Sequence, residues 1–222
     1  MRIISRIAAL IALVLTTLCA PAQQKLPITA REAFVNMPKE MLDLIDKPLR
    51  LDMLDYWDAD SVAKVKNNME GRSWLTAVTP DFLEVHLTDV STCQIKILPS
   101  SKYGCVVATA YTIEGEGGAG DTSLYFYDTK MSRLPENKLI RLPEVKDFIL
   151  IPKGISSKPS AIAELIPYPT VKFSFSPETT VLSAQLTVGK YMDKESFETV
   201  SPCLRRDAEY LWNGSQYRLR KQ

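Results

Sequence analysis

The acidic, glycine-rich stretch from Glu114 to Asp121 has residue types that could bind a phosphate group or a metal ion. It reads Glu-Gly-Glu-Gly-Gly-Ala-Gly-Asp. A phosphate-binding loop would continue with Gly-Lys-Ser/Thr into a helix, whereas this stretch is acidic and leads into a predicted strand. The carboxylates of Glu114, Glu116 and Asp121 are instead the hard oxygen ligands that Ca²⁺ prefers. The stretch therefore predicts a mobile hairpin tip, with a weak calcium site as the alternative.

Catalysis by a nucleophile and a histidine base would have to use His86, because the 222-residue chain has one histidine. His86 shares the predicted outer face of a strand with Glu84 and Thr88. No serine or cysteine lies at the spacing from His86 that a catalytic motif would have. We therefore interpret His86 as a solvated strand residue.

Paired carboxylates next to aromatic residues could hydrolyse sugars without a histidine. The candidates near Tyr56 and Trp57 are Asp52, Asp55, Asp58 and Asp60. Their spacing scatters them around a helix and its end, which is typical of a solvated surface. A carboxylate-dependent hydrolase is thus the alternative function, and no cofactor is predicted.

Two of the cysteines are spaced so that they could form a disulfide in an oxidising compartment. Cys93 and Cys105 lie six residues on either side of Pro99, where a hairpin turn is predicted, so they would face each other on paired strands within disulfide reach. The alternative is that these two and Cys203 are small buried hydrophobic residues. A zinc site is disfavoured, since the sequence contains no Cys-x-x-Cys and one histidine.

Residues 1–22 have the pattern of a cleavable signal peptide. Arg2 and Arg6 precede an apolar run, and Ala20-Pro21-Ala22 is a small-x-small cleavage site, which would leave Gln23 as the mature N-terminus. The run is shorter than the roughly 20 residues needed to span a bilayer, so we expect export to the periplasm or beyond, without membrane insertion after cleavage. A lipoprotein acylated at Cys19 is the less favoured alternative, because bulky Leu18 precedes it.

The charge balance argues against nucleic acid as a partner. The chain has 27 basic and 26 acidic residues, and it stays close to neutral when Arg2 and Arg6 leave with the signal, so it lacks the basic footprint of a nucleic-acid-binding protein. A local basic excess remains near the C-terminus, at Arg205, Arg206, Arg218, Arg220 and Lys221. Alternation of Arg218 and Arg220 fits the exposed face of an edge strand, with partner contact as the other interpretation.

Periodicity predicts an α+β fold, with N-terminal helices followed by an antiparallel β-meander. Helices are predicted at 38–56 in two pieces, 60–71, 159–166 and 193–200, with patchy helical character at 144–151. Residues 23–38 are predicted to form either an extended lead or a short helix at 29–36. Strands are predicted at 74–78, 82–87, 93–98, 104–113, 122–127, 170–175, 181–188, 209–212 and 215–219. Asn213-Gly214 between the last two is a strong hairpin signal.

The two halves of the mature chain resemble each other weakly. Residues 84–92 run like 172–180, and 124–128 run like 209–213, with a helical segment before the strands in each half. We therefore predict two units, 23–141 and 142–222, packed into one compact body. They are either tandem α/β repeats or simply two sets of amphipathic strands that look alike.

Aromatic residues on two strands are the candidate binding surface. Tyr125 and Tyr127 share one strand face, and Tyr210 and Trp212 share a face of a later strand. Either one such face stays exposed as a patch, or helices and a second layer cover both. The leading functional hypothesis is a non-catalytic module that binds another envelope protein or a glycan; a calcium or small-ligand module is a further alternative.

Several short segments resemble an uncharacterised family of secreted proteins from Bacteroidales-type bacteria, a domain of unknown function. They are Met53-Leu54-Asp55-Tyr56, Leu83-Glu84-Val85-His86-Leu87, the stretch from Asp121 to Asp128, Leu142-Pro143-Glu144, and Cys203 with Tyr210 and Trp212. The resemblance implies a location in the bacterial envelope, in the periplasm, and no assigned activity. It adds no catalytic residue.

Overall fold

The structure is a computed structural model that describes residues 26–220, apart from Val62, Ile155, Pro167, Arg206 and the side chain of Glu116. The predicted signal peptide and Cys19 lie outside the described residues. The described chain forms helices α1 (Ala30–Asn36), α2 (Lys47–Asp58), α3 (Pro159–Glu164) and α4 (Lys194–Val200). Its strands are β1 (Val65–Lys66), β2 (Arg72–Val78), β3 (Phe82–Thr88), β4 (Ser91–Ser100), β5 (Gly104–Glu114), β6 (Gly120–Tyr127), β7 (Arg133–Leu134), β8 (Val171–Phe175), β9 (Leu182–Leu186), β10 (Ala208–Trp212) and β11 (Tyr217–Leu219).

Both sheets are antiparallel meanders, as the sequence predicts. The first sheet has seven strands in the order β1 to β7, and the second has four in the order β11-β10-β9-β8. Neighbours in space are neighbours in sequence throughout, because short turns join consecutive antiparallel strands. The α+β fold class is confirmed.

The helices α1 and α2 cover one face of the first sheet. Thr29 caps α1 in a capping box with Glu32, and the Asp46 side chain accepts a hydrogen bond from the Leu49 N–H at the start of α2. Buried apolar side chains of the helices and of the segment between them pack on inward-facing residues of β3, β4 and β5. The result is one continuous apolar layer on this side.

The second sheet packs against the opposite face of the first sheet. A shared apolar core joins Phe126 and Leu98 of the first sheet to Phe173, Phe175 and Tyr210 of the second. The predicted units 23–141 and 142–222 therefore share one core. Whether they are tandem repeats stays a prediction, although each half contains an antiparallel meander.

Side chains of the first sheet cover the edge strand β8. The N–H groups of Val171, Phe173 and Phe175 donate to Asp121 Oδ1, Thr122 Oγ1 and Gln94 Oε1 at 3.1, 3.1 and 2.9 Å. An unpaired strand edge is a template for aggregation. These contacts block it and also fix the position of the second sheet on the first.

Two predicted helices are wrong. The segment predicted as helix at 60–71 contains β1 and a turn held by Asn67, whose Oδ1 accepts from the N–H groups of Met69 and Gly71 and whose Nδ2 donates to Leu87 O. The first piece of the predicted 38–56 helix is a series of turns, and helix begins at Lys47. The patchy 144–151 segment is reduced to a 3₁₀ turn at Val145–Phe148.

The predicted disulfide is also wrong. The β4–β5 turn lies at residues 101–103 rather than at Pro99, so Cys105 pairs with Pro99 and Cys93 pairs with Tyr111. Cys93, Cys105 and Cys203 are free and buried, and burial raises the pKa of the Cys93 thiol to about 12. The alternative interpretation, small buried hydrophobic residues, is the one the structure supports.

These thiols should resist alkylation in the folded protein and react fully on unfolding. Iodoacetamide at pH 8 should leave Cys93, Cys105 and Cys203 unlabelled, because each is at least 98% buried. Burial also raises the pKa of the Cys93 and Cys105 thiols, which keeps these two protonated. Unfolding in guanidinium without reductant should expose all three, as peptide mapping by mass spectrometry would show. A peptide pair linked through Cys93 and Cys105 would contradict the register given above.

Candidate functional site

The tyrosines of β6 face the helices. Tyr127 is buried in the core beneath α1 and Tyr125 is packed against its edge, whereas Leu124 and Phe126 point into the core shared with the second sheet. The predicted division of this strand into two faces is therefore correct. Tyr127 is buried, which raises the pKa of its hydroxyl and gives the ring a packing role. Tyr125 is half-exposed, so it is the tyrosine of this pair that a partner can reach.

Tyr125 borders a cleft of about 350 Å³ at the end of the helical layer, which we call the Tyr125 cleft. Its lining consists of Pro38, Glu40, Met41, Tyr125, Tyr127, Met131 and Arg133. The guanidinium carbon of Arg133 lies 4.6 Å from the centroid of the Tyr125 ring, in cation–π contact. Because Arg133 itself is exposed, this contact presents a flat aromatic and guanidinium surface at the mouth of the cleft.

The other predicted aromatic pair lies elsewhere and does not join this surface. Tyr210 is 1% exposed and its hydroxyl donates to Arg141 O at 3.1 Å. Trp212 is half-buried, and its Nε1 donates to Pro99 O at 2.6 Å while its ring packs edge-on against Tyr217. These rings hold the second sheet to the first, which makes their main role structural.

The calcium candidates are directed to the second sheet. Glu114 forms an ion pair with Lys172, and Asp121 accepts from the Val171 N–H. The side chain of Glu116 lies outside the described part of the chain. Among the described residues there is no group of three or more His, Cys, Asp or Glu side chains placed to hold a metal ion.

Two of the hydrolytic candidates, His86 and Asp58, are engaged in ring packing and in a surface ion pair. The His86 ring stacks on Trp74 with centroids 4.6 Å apart and planes 8° from parallel, and Lys64 Nζ lies 4.0 Å from the centroid of the same indole. Asp58 pairs with Arg31, and the guanidinium lowers the pKa of this exposed carboxyl.

A second cleft is lined by arginines, most of which belong to the basic C-terminal residues noted in the sequence. Between the β10–β11 hairpin and the 139–148 segment lies a space of about 760 Å³, the arginine cleft. Its charged lining residues are Arg141, Arg205, Arg218, Arg220 and Asp147. The alternation of Arg218 and Arg220 was a signal for it, but the contribution of Arg141 from more than 60 residues earlier is visible only in the fold.

The fold and these clefts define a class: a helix-covered, two-sheet α+β protein with open surface clefts. The sequence matches the family described as "Protein of unknown function (DUF3256)" over residues 10–217, and the chain belongs to that family. No described helix has the length and apolar character to cross a membrane.

Comparison with solved structures supports the same fold. The chain is similar to the "Structure of a domain of an uncharacterized protein from Porphyromonas gingivalis W83", with a TM-score of 0.73 and 20% sequence identity over 88% of this chain and 100% of that one. No curated protein matches the sequence. At this identity the likeness establishes the fold alone.

Proposed function

We propose that this protein is an exported, non-catalytic binding protein of the bacterial envelope, and that it binds a partner protein through the Tyr125 cleft. The observation that carries the proposal is the half-exposed Tyr125 ring with Arg133 stacked on it at the mouth of the cleft. Tyrosine and arginine are the residues most enriched among those that dominate binding energy at protein interfaces. Export is proposed from the basic start, the short apolar run and the Ala20-Pro21-Ala22 site of the sequence.

The dimensions and walls of the cleft support a protein side chain as the anchor. A volume of about 350 Å³ accommodates one large side chain, and Met41 and Met131 provide adaptable apolar walls. Glu40 and Arg133 at the rim add charges of opposite sign. Such a small apolar pocket with a polar rim has the composition of a binding site for one anchor residue.

A photo-crosslinker at Met131 should capture this partner in native cells. Benzoylphenylalanine at this half-buried lining position should give a discrete adduct, recovered with the periplasmic fraction and with Gln23 as the N-terminus of the bait. Arg133→Ala should reduce the adduct at least about tenfold, since interface arginines of this kind contribute about 2 kcal/mol or more. The adduct yield is measured by immunoblot and the partner by mass spectrometry.

The matched control is the same crosslinker at Tyr56, which is 47% exposed on α2 and is not a lining residue of the cleft. It should give no such adduct. Equal adducts at the two positions, an adduct unaffected by Arg133→Ala, or bait found with its original Met1 in the cytosol would overturn the proposal.

A further inference from the structure

The arginine cleft carries an excess of positive charge that the described chain does not neutralise. Arg141 pairs with Asp147 at 3.0 Å, and Arg220 pairs with Glu209 at 2.8 Å. Within the described residues, Arg205 and Arg218 have no ion-pair partner, although each lines the same cleft. Guanidinium groups gathered without counter-charges create a positive potential that attracts an anion.

Unsatisfied polar atoms occur at the same place. In the described part of the chain, the buried side-chain polar atoms that lack a hydrogen-bond partner are Arg205 Nε and Tyr217 Oη, and both residues line the arginine cleft. Buried polar groups are almost always hydrogen bonded to protein, water or a ligand. The unused donor on Arg205 adds to the unneutralised charge of the cleft in favouring an anionic ligand.

The surrounding structure holds these residues in place. The Tyr217 N–H donates to Leu139 O at 2.7 Å and the Arg205 N–H donates to Phe148 O at 2.8 Å. The Tyr210 hydroxyl donates to Arg141 O. These hydrogen bonds attach both walls of the cleft to the 139–148 segment.

We propose that the arginine cleft binds the phosphate group of a phosphate monoester carried on a larger molecule. A guanidinium donates two parallel hydrogen bonds to an oxyanion. A phosphate monoester, with close to two negative charges near neutral pH, matches Arg205 and Arg218, which have no ion-pair partner in the described part of the chain. A space of about 760 Å³ exceeds what the phosphate alone fills, so it also accommodates the group that carries it. This site is separate from the Tyr125 cleft and shares no lining residue with it.

Three probes at low ionic strength test the proposal and distinguish the source of the phosphate. They are inorganic phosphate, glucose 6-phosphate, and phosphatidylcholine vesicles with or without phosphatidic acid. Calorimetry or vesicle co-sedimentation should show saturable binding of glucose 6-phosphate if the ester is soluble, or of the phosphatidic acid vesicles if it is a lipid headgroup. Glucose and pure phosphatidylcholine vesicles should not bind.

Variants connect any binding to the cleft. Arg218→Met, at an exposed position, should weaken binding of the productive probe several-fold without a change in melting temperature, and Arg205→Met with Arg218→Met should weaken it by roughly tenfold or more, because charge-assisted hydrogen bonds are lost. Arg72→Met, an exposed arginine on β2, and Tyr125→Ala should bind like the unchanged protein. Tyr125→Ala thereby separates this site from the proposed partner-binding cleft.

Binding confined to inorganic phosphate, binding that survives in the Arg205→Met/Arg218→Met variant, or no binding of any probe would each overturn the proposal. A melting curve for every variant identifies loss of fold. If the double variant fails to fold, the exposed Arg218→Met variant decides the outcome alone.

Discussion

Replacing Arg50 by methionine should lower the free energy of unfolding by about 3 kcal/mol, because buried carbonyls lose charge-assisted hydrogen bonds. Arg50 is 3% exposed and its Nη1 donates to the carbonyls of Phe34 and Met37 at 2.9 and 2.8 Å. Its Nε donates to Ile45 O at 2.9 Å. Burial lowers the pKa of this guanidinium, but an arginine remains protonated at neutral pH.

The size of this effect follows from where those carbonyls lie. Phe34 lies in the last turn of α1 and Met37 is its C-cap, while Ile45 directly precedes Asp46, the N-cap of α2. One side chain therefore satisfies backbone carbonyls at both ends of the connection. Methionine has a similar length but donates no hydrogen bond. Its introduction therefore leaves the carbonyls of Phe34, Met37 and Ile45 without this donor. Part of the loss is offset because the variant no longer buries a charge.

The measurement is urea unfolding followed by circular dichroism, with Arg72→Met as the matched control. Arg72 is exposed and its Nη1 donates to Lys64 O at 3.1 Å, so its replacement should cost no more than about 0.5 kcal/mol. Equal midpoints for the two variants would show that Arg50 does not join the helices in the way described.

Replacing Lys96 by methionine should destabilise the contact between the two sheets by about 2–4 kcal/mol. The Lys96 side chain is 0% exposed, and its Nζ lies 2.7 Å from Asp81 Oδ2 and donates to Pro177 O at 3.0 Å. Pro177 lies in the β8–β9 turn, so this lysine fastens the second sheet to β4. Removing it leaves the Pro177 carbonyl without this donor and the Asp81 carboxylate without its partner.

The carboxylate determines how large the loss is. Asp81 is 35% exposed and regains hydration when its partner is removed, which places the expected value below that of a fully buried pair. A second change, Asp81→Asn in the Lys96→Met background, should therefore cost less than it does alone, and the double-mutant cycle should give a coupling of about 1 kcal/mol or more.

The control for Lys96 is Lys66→Met, which removes an exposed i,i+4 pair with Glu70 and should change stability by at most about 0.5 kcal/mol. Hydrogen exchange of the β8 and β9 amides gives a second readout. Faster exchange of these amides in Lys96→Met, but not in Lys66→Met, would locate the destabilisation at the contact between the sheets. Unchanged protection in Lys96→Met would contradict a role of Lys96 in holding the sheets together.

Local signals explain which elements the sequence predicted correctly. Asn213-Gly214 forms the predicted hairpin turn, with Gly214 at a φ of 89° and Asn213 Oδ1 accepting from Ser215 and Gln216 N–H groups. Asp193 caps α4 through the Ser196 N–H. In such cases the residues that decide the structure are a few positions apart, so no distant contact is needed to predict it.

Predictions failed where a distant contact competed with a local preference. The 60–71 segment has helical periodicity, but Asn67 is drawn into a turn by Leu87 O, which lies twenty residues later. The sequence predicts a turn centred on Pro99, midway between Cys93 and Cys105, whereas pairing of the full lengths of β4 and β5 places it at residues 101–103. A shift of a few residues in register was enough to separate the two thiols.

The sequence by itself determined the fold class, the meander order and which faces of the strands are apolar, because these follow from residue periodicity and turn chemistry along a short length of chain. The tertiary structure alone decided that Tyr210 and Trp212 are packed between sheets while Tyr125 stays partly exposed, and that Arg141 joins Arg205, Arg218 and Arg220 in one cleft. Those outcomes depend on which elements cover which faces. That choice is made by packing between residues far apart in the chain, and no local pattern records it.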